Sequence, residues 1–312
     1  MASDAGVRDA KDLIEQAEAK TNIFELPCLE MKAAVRIDNK GRPLDGSYVL
    51  LWNGPDQWRE EITFPGYSEV QVGSKGVVFL KRTTDFLPWR IGQLRWTLGY
   101  GPRTSNLQSF VHLAPGPHEA VKKVLSLKLQ GRKVECVEIA DKEGNSRQVR
   151  VDPSTGILVR QDPFVDRDVT SVGTRLFPRF LSYVERGKSV VEINVRELKA
   201  IDQMASSVFE PPQGATVKPG CMNPSPARRI KRVTPRYPEE ERRSRIQGTV
   251  AMQAVIGKDG NPRGLRLVSG VTPGLNDISL EAARQWRYEP ATCNGIAVDV
   301  ETLLTVQYEL RW

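Results

Sequence analysis

The most constraining feature of this sequence is the stretch from Leu275 to Trp312, in which a helical period is followed by a strand period. Apolar residues first recur at spacings of three and four, the pattern of one helix face: Leu275, Ile278, Ala282 and Trp286. After a turn at residues 293–295 the spacing becomes two, and the residues that share the mainly apolar face are Ile296, Val298, Val300, Thr302, Leu304, Val306, Tyr308 and Leu310. The stretch predicts a helix that leads into one long, half-buried strand.

The length and composition indicate an ordinary globular protein of about two domains. The chain has 312 residues, of which 39% are hydrophobic and 27% are charged. No apolar run approaches the roughly 18 residues that span a bilayer. The opening Met1-Ala2-Ser3 has no signal-peptide pattern, so we expect a native export signal or membrane anchor to be missing from this sequence. The sequence leaves open which of the two it is.

Most of the net charge of +7 lies between Arg228 and Arg245. This segment holds eight Arg and Lys residues and the three glutamates 239–241, which gives it a net charge of +5. A solvated linker followed by a short charged helix explains this composition. The alternative is a patch that binds phosphate groups of nucleic acid or of an anionic membrane. Because no aromatic side chains alternate with the arginines, we do not expect nucleic acid as a partner.

The four cysteines, Cys28, Cys136, Cys221 and Cys293, are widely spaced and form no CxxC motif. An even number at such spacing suits two disulfides in an oxidising compartment, with three possible connectivities. We favour Cys28–Cys136 and Cys221–Cys293, because each bridge then stays within one predicted domain. Four buried thiols in a reducing compartment are the alternative. With only two histidines in the chain, metal-ligand spacing is absent, and we predict no metal and no cofactor.

The first ~210 residues predict many antiparallel strands and a few helices. Short β-branched and aromatic runs alternate with Gly, Pro, Asn and Asp turns, which is typical of a meander. The predicted strands are Leu29–Ile37, Gly46–Trp52, Trp58–Phe64, Ser68–Val72, Gly76–Lys81, Lys133–Ala140, Ser146–Val151, Ile157–Asp162, Phe177–Arg186 and Ser189–Ile201. The predicted helices are Val7–Lys20, Asp85–Leu98 and Pro117–Leu129. Together they predict a curved, partly closed sheet with helices over one opening.

A first resemblance lies in the N-terminal helix, the long meander and the ending Phe209-Glu210-Pro211-Pro212. Residues 5–216 resemble the LolA/LolB-like lipoprotein-carrier fold. That resemblance implies an α+β domain, a mostly antiparallel half-open β-barrel with lid helices. It also implies an interior that holds lipid chains, so a carrier or sensor of an apolar ligand is our alternative function.

Residues 217–235 are rich in Pro and Arg and predict a linker. A short helix from Pro238 to Arg245 and a hairpin around the turn at residues 257–261 follow. The helix and long strand described at the outset complete a domain that spans residues 236–312.

This C-terminal part closely resembles the C-terminal domain of the TonB family. The matching residues are Tyr237, Pro238, Gly248, Gly260, Trp286, Arg287, Tyr288, Glu289 and Pro290, in the family's order and spacing. The resemblance implies two helices on a three-stranded antiparallel sheet, in the periplasm of a Gram-negative cell. It further implies that the last strand binds the TonB box of an outer-membrane transporter by strand addition. For Trp286, Tyr288 and Pro290 we predict structural roles first: helix anchor, core aromatic and helix stop.

An unpaired last strand would offer the backbone groups that strand addition needs. The residues predicted to line this edge are Asp299, Glu301, Leu303, Thr305, Gln307 and Glu309, whose carboxylates would also discourage aggregation. Energy-transducing TonB proteins carry a membrane helix and a long proline-rich spacer, whereas here a β-rich domain stands in the place of the spacer. Coupling to an inner-membrane motor is therefore in doubt.

No catalytic residues are predicted, because the sequence contains no GxSxG, P-loop, HExxH or Rossmann pattern. The expected protein is a non-enzymatic periplasmic one that takes part in envelope transport. Its expected partner is an outer-membrane TonB-dependent transporter or another envelope protein, with a lipid or apolar ligand and a homodimer as further possibilities.

Overall fold

The computed structural model describes residues 4–39, 42–84, 87–98, 115, 119–129, 131–141, 146–160, 163–185, 187–219, 224–293 and 295–310. Two larger antiparallel sheets form its N-terminal part, and a three-stranded sheet with two helices forms its C-terminal part. The predicted α+β fold class is confirmed. None of the helices in the described part of the chain has the length and hydropathy that a membrane span requires.

The largest sheet has nine strands in the order β10-β11-β12-β1-β2-β3-β4-β5-β13 and is not closed into a barrel. Its strands are β1 Leu29–Asn39, β2 Arg42–Trp52, β3 Gln57–Phe64, β4 Tyr67–Ser74, β5 Val77–Arg82, β10 Phe164–Val172, β11 Arg175–Glu185, β12 Lys188–Ala200 and β13 Thr216–Pro219. Tight turns connect β2 to β3, β3 to β4 and β4 to β5, as the turn residues predicted. The two edge strands, β10 and β13, were not predicted.

One face of this sheet is covered by the helix α2 (Trp89–Thr97) and by the 3-10 helix Ile23–Glu25. Alternate side chains of the central strands point into this core, and Trp52 and Leu50 are almost fully buried there. From α2, Ile91 and Leu94 enter the same core. The helix begins after Pro88, which lacks the N–H that a helix interior requires, so it is shorter than predicted.

A second sheet has the order β6-β7-β8-β9 and packs on α1 (Asp4–Thr21). Its strands are β6 Glu119–Leu129, β7 Arg132–Asp141, β8 Ser146–Asp152 and β9 Ile157–Leu158. The buried stripe of α1 includes Ala10 and Ile14. The helix predicted at Pro117–Leu129 is wrong, because Glu119–Leu129 form β6, which pairs with β7 through a hairpin at Gly131, whose φ is +79°.

The C-terminal part is built on a sheet with the order β17-β16-β21. Its elements are α3 Glu239–Arg243, β16 Gly248–Ile256, β17 Pro262–Ser269, α4 Pro273–Arg284 and β21 Val300–Tyr308. Its core joins one face of this sheet to α4 and includes Met252, Leu275, Trp286 and Leu304. The predicted combination of two helices and three strands is present.

Short strands occupy the segment that we predicted to be a linker and the segment that follows α4. These strands are β14 Pro224–Ser225, β15 Arg228–Lys231, β18 Arg287–Glu289, β19 Ala291–Cys293 and β20 Ile296–Val298. β15 pairs with β18, whereas β14, β19 and β20 form a separate small sheet. The single long strand predicted from Ile296 onwards is therefore wrong. The chain changes sheets at Asp299, so β20 and β21 are two strands.

The predicted bridge between Cys28 and Cys136 is also wrong. Both are buried free thiols in different parts of the structure: Cys28 immediately precedes β1 of the nine-stranded sheet, whereas Cys136 lies in β7 of the second sheet. Burial raises the pKa of the Cys28 thiol, which keeps it protonated. Cys293 is disulfide-bonded, whereas its predicted partner Cys221 lies outside the described residues.

Candidate functional site

The candidate site is the free edge of β21. This strand pairs with β16 over nine consecutive residues, from Val300 opposite Ile256 to Tyr308 opposite Gly248. β21 ends the strand order of its sheet, so its other side carries a row of backbone groups that none of the described strands pairs with. Leu304 and Val306 anchor the strand by pointing into the core. The arrangement is a rigid strand with one edge open to an added strand.

The predicted edge residues fall into two groups along this strand. Asp299 lies just before β21 and accepts a hydrogen bond from the backbone N–H of Lys258 at 2.8 Å. Thr305 is half-buried and Gln307 is exposed, whereas Glu309 lies just beyond the end of the strand. The Gln307 side chain donates to the Glu309 carboxylate at 2.5 Å. The second half of the strand therefore presents polar side chains on its outer face.

The first half of the outer face contacts the N-terminal part of the chain. Arg82 at the end of β5 donates to the Glu301 carboxylate at 2.9 Å, and both side chains are mostly buried. The Leu303 Cδ1 atom lies beside Gly92 of α2, 2.8 Å from where a Cβ atom would stand. Gln253 of β16 also hydrogen-bonds to Glu301. The side chains of Glu301 and Leu303 are thus engaged within the chain.

Gly260 and Tyr288, two of the matching motif residues, are in direct backbone contact. The Tyr288 N–H donates to the Gly260 carbonyl at 2.9 Å. Gly260 has a φ of +74°, and a Cβ atom there would stand 1.9 Å from the Tyr288 carbonyl oxygen. Only glycine fits this position. The contact fixes the β16–β17 turn against β18.

Trp286 is fully buried, and its indole N–H donates to the Val233 carbonyl at 2.8 Å. It follows the end of α4 and ties the segment before α3 to the core. Tyr237 packs edge-to-face on Tyr308, with the ring centroids 5.2 Å apart, and its hydroxyl donates to the Ile246 carbonyl. These contacts are structural and lie within the domain.

The remaining motif residues also pack within the domain or lie on its surface. Pro238 immediately precedes α3, and a Cβ atom on Gly248 would stand 2.6 Å from a Val271 methyl carbon. Arg287 and Glu289 are exposed on β18, and Pro290 is half-buried between β18 and β19. Glu289 forms an ion pair with Arg228 at 2.7 Å.

A buried charged cluster, which the sequence analysis missed, fastens α2 to the nine-stranded sheet. Arg95 of α2 lies 2.6 Å from the Glu60 carboxylate and 2.5 Å from the Glu69 carboxylate, and all three side chains are at most 7% exposed. Tyr48 donates to Glu60 at 3.1 Å, and Tyr67 donates to Glu69 at 2.5 Å. The signal was in the sequence, because strand alternation places Glu60 on the same inward face as Trp58 and Ile62.

The electrostatics of this cluster follow from opposing causes. Burial by itself would raise the pKa of Glu69, but Arg95 and the Tyr67 hydroxyl outweigh it and hold that pKa at about 2. Burial would lower the pKa of Arg95, and the two carboxylates instead raise it. Burial and the neighbouring Glu69 carboxylate both raise the pKa of Tyr67. At neutral pH, Arg95 and Glu69 are therefore a buried pair of opposite charges, and the Tyr67 hydroxyl keeps its proton.

Among the described residues, no group of three or more His, Cys, Asp or Glu side chains is arranged to hold a metal ion. The geometry thus defines a small domain with an open edge strand, joined to a large antiparallel sheet whose covered face is filled by α2.

Comparison with known proteins finds relatives of the small domain. The family described as Gram-negative bacterial TonB protein C-terminal matches residues 233–310, so this part of the chain is similar to the C-terminal domain of TonB proteins. Protein TonB from Vibrio cholerae is 30% identical over 111 residues, which cover 35% of this chain and 45% of that protein. Protein TonB from Klebsiella pneumoniae is 34% identical over 76 residues, which cover 24% of this chain and 31% of that protein. The chain spans less than half the length of both relatives.

Solved structures that are similar to this chain cover mainly the N-terminal part. A LolA superfamily protein from Nitrosomonas europaea aligns with a TM-score of 0.41 at 12% identity, over 64% of this chain and 97% of that chain. A DUF1329 family protein from Desulfovibrio piger aligns with a TM-score of 0.40 at 12% identity, over 65% of this chain and 97% of that chain.

Proposed function

We propose that this chain is a non-enzymatic envelope protein of the TonB type, which binds an extended segment of a partner protein at the free edge of β21. The position of β21 at the end of the order β17-β16-β21 carries this proposal. An edge strand of nine residues, held on its other side by an uninterrupted ladder, is already in the conformation that an added strand requires. The partner is a TonB-box-like segment of an outer-membrane transporter, and the compartment is the periplasm.

We infer that the two halves of the outer face of β21 have different roles in binding. Glu301 already contacts Arg82, and Leu303 already contacts Gly92. We therefore infer that the side chains of the bound segment contact Thr305 and Gln307. The backbone hydrogen bonds would supply most of the affinity, and this short stretch would supply the selectivity.

Carriage of an apolar ligand, the alternative function, receives less support. The side chains that would line an interior cavity, among them Trp52, Leu50 and Leu94, are packed against one another. An acyl chain could reach them only if α2 moved away. That movement would separate Arg95 from two buried carboxylates, at a cost of several kcal/mol.

A scan of N-methylated peptides tests strand addition, because alternate residues of an added strand donate to β21 and the others face away. A TonB-box-like peptide is methylated at one backbone nitrogen at a time, and each affinity is measured by isothermal titration calorimetry. Each methyl group on a bonded nitrogen removes one hydrogen bond, which is worth about 0.5–1.5 kcal/mol or about two- to twelvefold in Kd. We expect losses at every second position.

The matched control is the same methyl group at the intervening positions, where Kd should change little. A uniform loss along the peptide would contradict strand addition. An unchanged affinity at every position would contradict it as well.

A further inference from the structure

Strands β15 and β18 form a two-stranded ribbon with a strongly basic surface, which the proposed function does not use. This basic ribbon consists of Arg228–Lys231 paired with Arg287–Glu289. All four residues of β15 are exposed. It belongs to a different sheet from β21, so its role is independent of strand addition.

An aromatic ring holds two arginines in place, one within the ribbon and one directly after it. The guanidinium carbon of Arg229 lies 4.8 Å from the Trp286 ring centroid, and that of Arg232 lies 6.0 Å from it. Cation–π attraction to a buried ring orients these charges instead of leaving them mobile.

The charges on the ribbon are poorly balanced within the protein. Glu289 pairs with Arg228, but Lys231 stands directly opposite Arg287 across the ladder. Like charges in that position are destabilising. In the part of the chain that the structure describes, no carboxylate lies within ion-pair distance of Lys231 or Arg287. An anion bound at this face would remove the repulsion.

An exposed aliphatic side chain lies at the centre of this charge. Ile230 occupies a bulge between Arg229 and Lys231 and is 61% exposed. A large apolar side chain flanked by cations suits the boundary between lipid headgroups and acyl chains, where the cations bind phosphate and the aliphatic group enters the apolar layer.

We propose that the basic ribbon binds the surface of an anionic lipid bilayer. Lys231, Arg287 and the stacked arginines bind headgroup phosphates, and Ile230 inserts between them. Nucleic acid fits less well, because single strands are bound by stacking on exposed aromatic rings. Here the rings at the ribbon, Trp286 and Tyr288, are both buried, and the exposed apolar group is aliphatic.

Co-sedimentation of the full chain with lipid vesicles tests this proposal. We expect binding to vesicles that contain 30% phosphatidylglycerol, no binding to pure phosphatidylcholine, and weakening as salt screens the charges. One basic residue near an anionic surface is worth about a factor of five in binding. Lys231→Glu should therefore weaken binding at least about fivefold. Ile230→Ser should weaken it at least about twofold without any change of charge.

Arg243→Glu is the matched control, because it changes the net charge by the same amount at an exposed position on α3. Under the proposal it changes binding far less than Lys231→Glu. Equal losses in both variants would overturn the proposal, because they would indicate a response to overall charge. Absent binding to anionic vesicles, or tighter binding to a single-stranded oligonucleotide at the same salt, would also overturn it. Circular dichroism confirms that each variant is folded.

Discussion

Replacing Arg95 with Met should destabilise the N-terminal part more than any other single change in the buried charged cluster. Arg95 is the only cation of the described residues within 3 Å of both Glu60 and Glu69, and all three side chains are almost fully buried. Removing one partner of a buried ion pair costs about 3–5 kcal/mol, because the remaining charge is left without compensation. Replacing all three residues by Arg95→Met, Glu60→Gln and Glu69→Gln removes the charges together and should cost far less.

The prediction for Arg95→Met also specifies the direction in which its free energy of unfolding changes with pH. In the wild type, the folded-state pKa of Glu69 is about 2, below its ordinary value of 4.5. That difference contributes about 3 kcal/mol of stability, which is fully present above pH 4.5 and is lost as the pH falls towards 2. In Arg95→Met, the remaining cation beside Glu69 is Arg82, 4.0 Å away, and we expect burial to outweigh it and to raise the pKa of Glu69 above 4.5. The free energy of unfolding of this variant should therefore increase as the pH is lowered from 8 to 5.

Urea unfolding followed by tryptophan fluorescence at pH 8, 7, 6 and 5 measures both effects. The wild type should show little change from this cluster over that range, whereas Arg95→Met should gain stability at each step. Arg95→Lys keeps the charge but lacks the planar fork that reaches two carboxylates, so it should lie between the two. A loss below 1 kcal/mol for Arg95→Met at pH 7, or parallel pH profiles for variant and wild type, would refute the reasoning.

Two further predictions concern the C-terminal domain. Gly260→Ala should lower its stability by about 3 kcal/mol, because the new Cβ meets the Tyr288 carbonyl and the positive φ adds about 1 kcal/mol. Gly264→Ala, with positive φ but nothing within 4 Å, should cost only about 1 kcal/mol in thermal unfolding, and equal losses in the two variants would contradict the effect of the Tyr288 contact. Reducing the Cys293 disulfide should cost about 2–4 kcal/mol; thiol titration of the denatured, unreduced chain should find two reactive thiols, Cys28 and Cys136, and a count of four would contradict the bridge.

The elements with one clear period could be predicted from the sequence, and the ambiguous ones could not. The meander from Leu29 to Arg82 alternates regularly between marked turns, and its strands were found with nearly correct bounds. In Pro117–Leu129, by contrast, Val121, Val124 and Leu125 fit a helix, whereas Leu125, Leu127 and Leu129 fit a strand. Pairing with β7 decides between the two, and it depends on contacts that a local pattern does not contain.

The candidate site could be located in outline because the motif residues mark the domain and the alternation marks β21. Two features of the site could be seen only in the folded structure. Apolar residues continue to alternate with polar ones across Asp299, so the sequence pattern does not show that β20 and β21 belong to different sheets. The pairing of Arg82 with Glu301 joins residues more than 200 positions apart, and no local signal predicts such a partner.

Backbone NMR of the isotope-labelled chain with a saturating TonB-box-like peptide tests strand addition at β21 most directly. We predict shifts of the amide resonances along Val300–Tyr308, slower hydrogen exchange at alternate residues of this strand, and cross-strand contacts between its backbone protons and those of the peptide. The amides of β17, at the opposite edge of the same sheet, should change little. Saturating peptide that leaves Val300–Tyr308 unperturbed, or that protects β17 instead, would contradict the account.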